Sequence, residues 1–335
     1  ENAVKIVVNA KTPVKAELAE LIYDRYYEQT ERFFANGFQS WTSSREYKRT
    51  DTQYGLRTLS NLPIARTFSG ASGDYAFTEY GKSLYHSFSY TYFRIDEKVE
   101  LVGSLNERTG YTIFYADYAQ NVFAAVKDVE GLTLDGEYEL FDIVRFQGAY
   151  DDVFDAYFAL YPRKNTGRVQ HLAGYTSWYN YYQNINEEII LRDLEGLSKA
   201  GKNANIFQID DGYETKVGDW DMDTVKFPNG LAPIVEKIHA QGLMAGLWYA
   251  PFAAQFKANV IKNHPDWLIR NKHGRPVVSG IAWGGFYALD FEKEEVREYI
   301  KSFFDKVFNE WHFDMVKLDF LYAAAIEPRN GKTRG

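Results

Sequence analysis

Through most of the first 148 residues apolar, aromatic and β-branched side chains come in short runs of strand length. Residues 4–9, 87–95, 122–129, 132–134 and 140–146 fit this pattern, with Glu-Gly and Asp-Gly turn signals between the later ones. Residues 99–105 and 111–115 flank Asn106-Glu107-Arg108-Thr109-Gly110, a loop expected to close a hairpin. Residues 16–27 suit helix or strand equally. Many short strands with few helices predict an all-β sandwich over residues 1–150.

From Asp151 the period lengthens. Val153, Phe154, Tyr157, Phe158 and Tyr161 recur at the helical spacing, Asp151 and Asp152 suit a first turn, and Pro162 stops the run. A linker helix is therefore expected within residues 151–169. Strand-like runs at 172–177, 205–210, 244–250 and 315–320 follow, alternating with amphipathic helices. Asn186 with Glu187 and Glu188 starts one helix, whose apolar face is Ile189, Ile190, Leu194 and Leu197 and whose stop is Gly201. A second helix lies around 231–240. After a long loop, Asp290 is expected to cap a third, with Glu292, Glu294 and Glu295 near its start and Val296, Ile300, Phe303, Val307 and Trp311 facing inward. Repeated β-α-β units mean a parallel sheet. Four such strands are half of a (β/α)₈ barrel, which usually takes ~250 residues. Residues 170–335 are thus expected to hold only its first half, and a chain stopping there to hydrolyse negligibly.

Composition narrows the chemistry. A net charge of −8 argues against a nucleic-acid partner. No cysteine occurs, which fits a reducing, cytoplasmic setting and excludes thiolate chemistry. No apolar run reaches the ~18 residues of a membrane span, and no signal peptide is visible, although residue 1 is Glu rather than Met. A homo-oligomer stays open. The aromatic fraction of 17% suits sugar faces, nucleobases or an ordinary core.

The ends of the four strands carry the informative residues. They are Ser177-Trp178-Tyr179-Asn180, Asp210-Asp211-Gly212-Tyr213, Trp248-Tyr249-Ala250-Pro251 and Lys317-Leu318-Asp319-Phe320. Groups at the C-terminal strand ends of a parallel barrel form its active site. Two residues apart, Lys317 and Asp319 point the same way, and an ammonium favours a neighbouring carboxylate in the ionised form that a nucleophile or base requires. An ion pair closing an ordinary strand is the plainer alternative. Carboxylates that accept hydroxyl hydrogens, a donating Lys and an apolar Trp face suit a neutral polyol. Paired Asp side chains also suit a metal, but the six His residues lack ligand spacing, so neither metal nor other cofactor is expected.

These motifs resemble the family 36 glycoside hydrolases, the α-galactosidase family. The likeness is carried by Trp178-Tyr179-Asn180-Tyr181-Tyr182, Phe207-Gln208-Ile209-Asp210-Asp211-Gly212-Tyr213, Gly218-Asp219-Trp220 with Phe227-Pro228, and Gly246-Leu247-Trp248-Tyr249-Ala250-Pro251-Phe252. His264-Pro265-Asp266-Trp267, Tyr287-Ala288-Leu289-Asp290 and Lys317-Leu318-Asp319-Phe320 continue the order, and Asn36-Gly37-Phe38-Gln39-Ser40-Trp41 is similar to the family's sandwich motif. The resemblance implies retaining hydrolysis of terminal α-D-galactosides. Asp319 matches the nucleophile, Lys317 a residue bonding sugar hydroxyls, and Asp210 and Asp211 a pair holding the 4- and 6-hydroxyls. Trp248 and Trp178 match pocket walls. Trp41 reaches the pocket from the sandwich or is structural; both readings stay open. Tyr249, Asp219 and Asp290 are expected to be mainly scaffold, with Asp219 supporting the pocket from behind. The family's acid/base aspartate lies on a later strand, roughly sixty residues past the nucleophile, beyond Gly335. The same fold acting on N-acetyl-α-galactosaminides, or transferring galactosyl groups, and a non-catalytic galactoside-binding protein are the rival functions.

Overall fold

The computed structural model describes residues 3–37, 42, 44–53, 78, 81–129, 131–161, 171–200, 203–271 and 273–325. They form two compact units, one up to residue 164 and one spanning 165–330. Among the described residues no helix is long and apolar enough to cross a membrane.

The first unit is built from strands β1 (Ala3–Lys15), β2 (Leu18–Asp24), β3 (Arg32–Ala35), β4 (Arg45–Lys48), β5 (Leu84–Phe88), β6 (Tyr90–Ile95), β7 (Lys98–Ser104), β8 (Thr112–Asp117), β9 (Val122–Asp128) and β10 (Thr133–Gly148). They pair antiparallel into a six-stranded sheet, β1-β10-β7-β6-β3-β4, and a four-stranded sheet, β2-β9-β8-β5. Phe33, Phe93 and Phe141 from the first sheet and Tyr85, Phe114 and Phe123 from the second meet in one core. The ambiguous stretch at 16–27 is a strand because Ala19 and Leu21 reach that core, and the hydrogen-bond ladder to β9 satisfies the backbone. The other face of the larger sheet is covered by helix α1 (Tyr150–Ala159), which buries Val153 and Tyr157 against Leu101 and Val144. The run of apolar residues at helical spacing thus ends at Ala159, and Pro162 lies outside the described residues.

One expectation fails here. β7 and β8 do not form a hairpin but belong to different sheets. The loop between them is pulled aside by polar partners: the fully buried Lys127 ammonium donates to the carbonyls of Asn106 and Gly110 and to the Thr112 hydroxyl. Asn106 Nδ2 donates to the carbonyl of Glu139 on β10 at 2.8 Å. Burial pushes the Lys127 amine below its usual range.

In the second unit, strands β11 (Gly174–Thr176), β12 (Ile206–Ile209), β13 (Met244–Tyr249) and β17 (Met315–Leu318) lie parallel and in sequence order. Helices α2 (Glu187–Ala200), α3 (Ala232–Ala240) and α4 (Glu294–Asp305) connect them. Their apolar faces, which include Ile190, Leu194, Val235, Ile238 and Ile300, share a core with Phe207, Ile209, Ala245 and Leu247. Asn186 caps α2 as its position predicts, Oδ1 accepting the Ile189 N–H at 2.9 Å. Asp290 does not cap α4. It closes a turn on the Glu292 N–H at 3.2 Å, and the helix begins only at Glu294. The long loop after β13 is not structureless either: β14 (Ala253–Gln255), β15 (Val278–Gly280) and β16 (Phe286–Ala288) form a small antiparallel sheet. These strands have three residues each, too short to show a period.

Two glycine and lysine positions test this account. Replacing Lys127 by Met leaves three buried acceptors short of a donor, and should lower the unfolding free energy of the first unit by about 2 kcal/mol in a denaturant titration. Gly212 has φ +118°, and a Cβ there would meet the Gln183 backbone at 2.7 Å. Gly212→Ala should cost more than ~1 kcal/mol by the same measurement.

Candidate active site

The parallel register decides which side chains meet. Gln208 pairs with Gly246, Gly246 with Met315 and Trp248 with Lys317, so Gln208, Asp210, Trp248, Lys317 and Asp319 emerge from one face at one end of the sheet. Gly246 keeps the row close, since a Cβ there would meet Met315 at 3.0 Å and Gln208 at 3.2 Å.

Lys317 lies at the centre. Its Nζ donates to Asp210 Oδ2 at 2.9 Å and stands 3.8 Å from Asp319 Oδ2. Asp210 is 1% exposed, whereas the Lys317 and Asp319 side chains are 39% and 41% exposed. The open end of the cluster is therefore Asp319. Trp248 Nε1 donates to Asp319 Oδ2 at 3.0 Å, the Phe320 N–H to Oδ1 at 2.8 Å, and the Asp319 N–H extends the strand ladder to the Tyr249 carbonyl at 2.9 Å. Those bonds hold the carboxylate in a fixed orientation.

Asp210 and Asp211 are not equivalent. Asp210 Oδ2 accepts from Gln208 Nε2 (2.7 Å), Lys317 Nζ and Thr176 Oγ1 (3.2 Å), and Oδ1 from the Asp211 N–H (3.0 Å). The Asp210 N–H donates to Ser177 Oγ at 2.9 Å. A carboxylate offers about four lone-pair sites, so Asp210 is nearly saturated by the protein. Asp211, 2% exposed, accepts from Gln183 Nε2 at 3.0 Å on Oδ1 and from Trp283 Nε1 at 2.8 Å on Oδ2. The buried carboxyl of Glu214 lies beside it. Burial, and then the Asp211 charge, raise the Glu214 carboxyl well above the ordinary range.

The backbone around this cluster is unusual. Tyr182, Trp283 and Phe320 are non-glycine residues at φ +50°, +55° and +53°. Each adjoins or carries a group of the site: Gln183, the Trp283 indole and Asp319. Left-handed residues of this kind cost on the order of 1 kcal/mol or more and gather at functional sites.

The structure thus brings Asp210, Asp211, Trp248, Lys317 and Asp319 together, with roles sharper than their positions alone suggest. Trp248 is 1% exposed and packed among Trp220, Trp283 and Phe320, so its link to the open site is its N–H rather than its face. The half-buried rings beside the opening are Trp283 and Phe320, 4.6 Å apart. Trp178 follows β11, half-buried, its ring edge-on to Tyr182 at 5.1 Å. Trp41 lies outside the described residues. Asp219 caps a short helix, Asn259–Asn263, through the N–H groups of Asn259 and Val260 at 2.9 Å. Tyr249 is scaffold, stacked on Phe303 at 4.2 Å. Gln183, Gln208, Glu214 and Trp283 were not foreseen. Gln208 lies one strand period before Asp210 and Glu214 just past the pair, which was a usable signal. Gln183 and Trp283 sit in loops, where no period points to them.

Residues 170–331 match the Melibiase family model. An α-galactosidase from Lactobacillus acidophilus is 30% identical over 150 residues, taking in 43% of this chain and 20% of that protein. A blood-group A α-D-galactosamine galactosaminidase from Flavonifractor plautii is 28% identical over 144 residues, 41% of this chain and 13% of its own. Among solved structures, the Thermus thermophilus α-galactosidase in complex with p-nitrophenyl α-D-galactopyranoside superposes with a TM-score of 0.73 at 29% identity, covering 99% of this chain and 66% of that one. The chain therefore spans about a fifth of the first of these relatives and about two thirds of the Thermus chain. Residues 170–331 are thus similar to the Melibiase family, and the chain as a whole resembles the family 36 α-galactosidases.

Proposed function

We propose that the chain carries the sugar-binding and nucleophile part of a retaining α-galactosidase acting on terminal, non-reducing α-D-galactosyl groups of the raffinose or melibiose type. The observation that carries this reading is the Lys317 ammonium bound between Asp210 and Asp319, which sets a half-exposed carboxylate beside a buried hydroxyl-binding pair. In this reading Asp319 attacks the anomeric carbon as the bond to the leaving oxygen breaks, giving a β-galactosyl ester. Water then releases galactose with its configuration retained. Asp210 and Asp211 hold the 4- and 6-hydroxyls, Lys317 donates to a neighbouring hydroxyl, and the half-buried rings of Trp283 and Phe320 meet the apolar sugar face. Retaining chemistry also needs a second carboxyl ~5–5.5 Å from the first to protonate the leaving oxygen. The family resemblance implies one on a later strand, and we assign none of the carboxyls described above to that role.

For the architecture we propose a β-sandwich over 1–150, a linker within 151–169, and the first half of a (β/α)₈ barrel from 170 onward. Strands in sequence order support the barrel, as does Leu318, an apolar residue of β17 that is 45% exposed where a further helix would pack.

The Flavonifractor relative is named for α-D-galactosamine, which favours one second reading, action on α-galactosaminides. Turnover of the two nitrophenyl glycosides side by side separates it from the first.

In a longer chain that carries the second carboxyl, Asp319→Ala should lower nitrophenyl α-galactoside turnover more than about a thousandfold, while Asp319→Asn should still bind galactose. Turnover at the wild-type rate in Asp319→Ala removes this residue from the mechanism. Galactose binding with no turnover in that longer, unmutated chain favours a binding protein instead.

A further inference from the structure

Behind Asp211, one of the two acids proposed to hold sugar hydroxyls, lies a second buried acid, Glu214, to which the proposed reaction gives no role. The Glu214 residue is 5% exposed, its Oε2 accepts the Gly212 N–H at 3.1 Å, and its carboxyl lies beside that of Asp211. Two carboxyl groups can share a hydrogen bond only if one keeps its proton. Asp211 already accepts from Gln183 and Trp283, as an ionised carboxylate does. Glu214 accepts only backbone N–H groups, which the carbonyl oxygen of a neutral acid can take while the other oxygen carries the proton, so the proton belongs there.

We propose that Glu214 is a positioning residue of this site: as a neutral acid it donates its O–H to Asp211 and determines which lone pair Asp211 offers to a sugar hydroxyl. With Gln183, Trp283 and Glu214 all donating, three of about four lone-pair sites on Asp211 are taken and one remains. Loss of the Glu214 proton would set a second negative charge against Asp211 in a dry setting and turn the carboxylate away. The other groups facing this pair are the Tyr213 hydroxyl, which itself donates to the Trp248 carbonyl at 3.2 Å, and the Lys226 ammonium. Lys226 is committed to the carbonyls of Gly212 (2.8 Å) and Gln183 (3.0 Å). Neither occupies the place of the Glu214 proton. The sugar part of this inference rests on the galactoside reading; the location of the proton does not.

The test compares the unmutated chain with Glu214→Gln and Glu214→Leu, following galactose affinity by tryptophan fluorescence across pH and the protonated-carboxyl band by infrared difference spectroscopy. Glutamine keeps an N–H donor toward Asp211 and an acceptor for Gly212 but cannot ionise. The unmutated chain should show the carboxylic acid band at neutral pH and lose about tenfold in affinity on the alkaline side. Glu214→Gln should lack the band, bind as well as the unmutated chain near neutrality, and show no alkaline loss. Glu214→Leu should bind about tenfold more weakly at every pH; if it fails to fold, the glutamine variant and the spectrum still decide. A missing acid band in the unmutated chain, or the same alkaline loss in Glu214→Gln, overturns the proposal. A band without galactose binding at any pH supports the proton's location and overturns the galactoside reading.

Discussion

A single ammonium group organises the carboxyl-terminal unit. Asp210 is almost fully enclosed, and an enclosed carboxylate persists as an ion only when charge and hydrogen bonds replace its water. Lys317 supplies the charge from β17, two strands away from β12, reaching past β13 to do so. Because the same ammonium also stands near Asp319, it reduces the repulsion between two carboxylates that would otherwise push apart. With 39% of its side chain exposed, Lys317 remains partly solvated, so its contribution to stability is screened even as it directs geometry.

That arrangement requires a close, correctly registered sheet. Shifting β17 by one residue against β13 would turn Lys317 and Asp319 to the helix side and bring Val316 and Leu318 to the site face. Glycine at 246 lets Gln208 and Met315 crowd the row behind the cluster. On the helix side, Phe207, Ile209, Ala245 and Leu247 are wholly or nearly wholly buried, and that packing is what penalises a slip. The apolar face thereby fixes the polar one.

This division explains what could be read from the chain. Regular period made the four parallel strands and the faces of α2, α3 and α4 visible, and strand-end position marked Asp210, Asp211, Trp248, Lys317 and Asp319. What escaped lacked a period. The three-residue strands after β13 were hidden in a loop, and the β7–β8 connection looked like a hairpin because a buried Lys127, distant in sequence, redirects it. Asp290 carried the chemistry of a helix cap but spends it on a turn, and the helix starts without a side-chain cap. Trp283 could not be placed because its value lies in a left-handed backbone and one indole N–H aimed at Asp211.

The site is expensive to build, and its costs gather around one opening. Three left-handed residues, two buried aspartates and a buried glutamate all adjoin one opening. Nothing in ordinary packing favours such a collection; equally sized apolar residues would be more stable there. Their common effect is to leave few lone pairs unused: Asp210 is nearly saturated by donors from three strands, and Asp211 accepts from Gln183 and Trp283 with the Glu214 carboxyl beside it. A hydroxyl arriving at this pair therefore meets one or two defined acceptors rather than two free carboxylates. Recognition by what is left open, after the protein's own donors have taken the rest, rejects a hydroxyl of the wrong orientation more strongly than a flexible acid pair could, because that hydroxyl finds no acceptor and stays unpaired in a buried place.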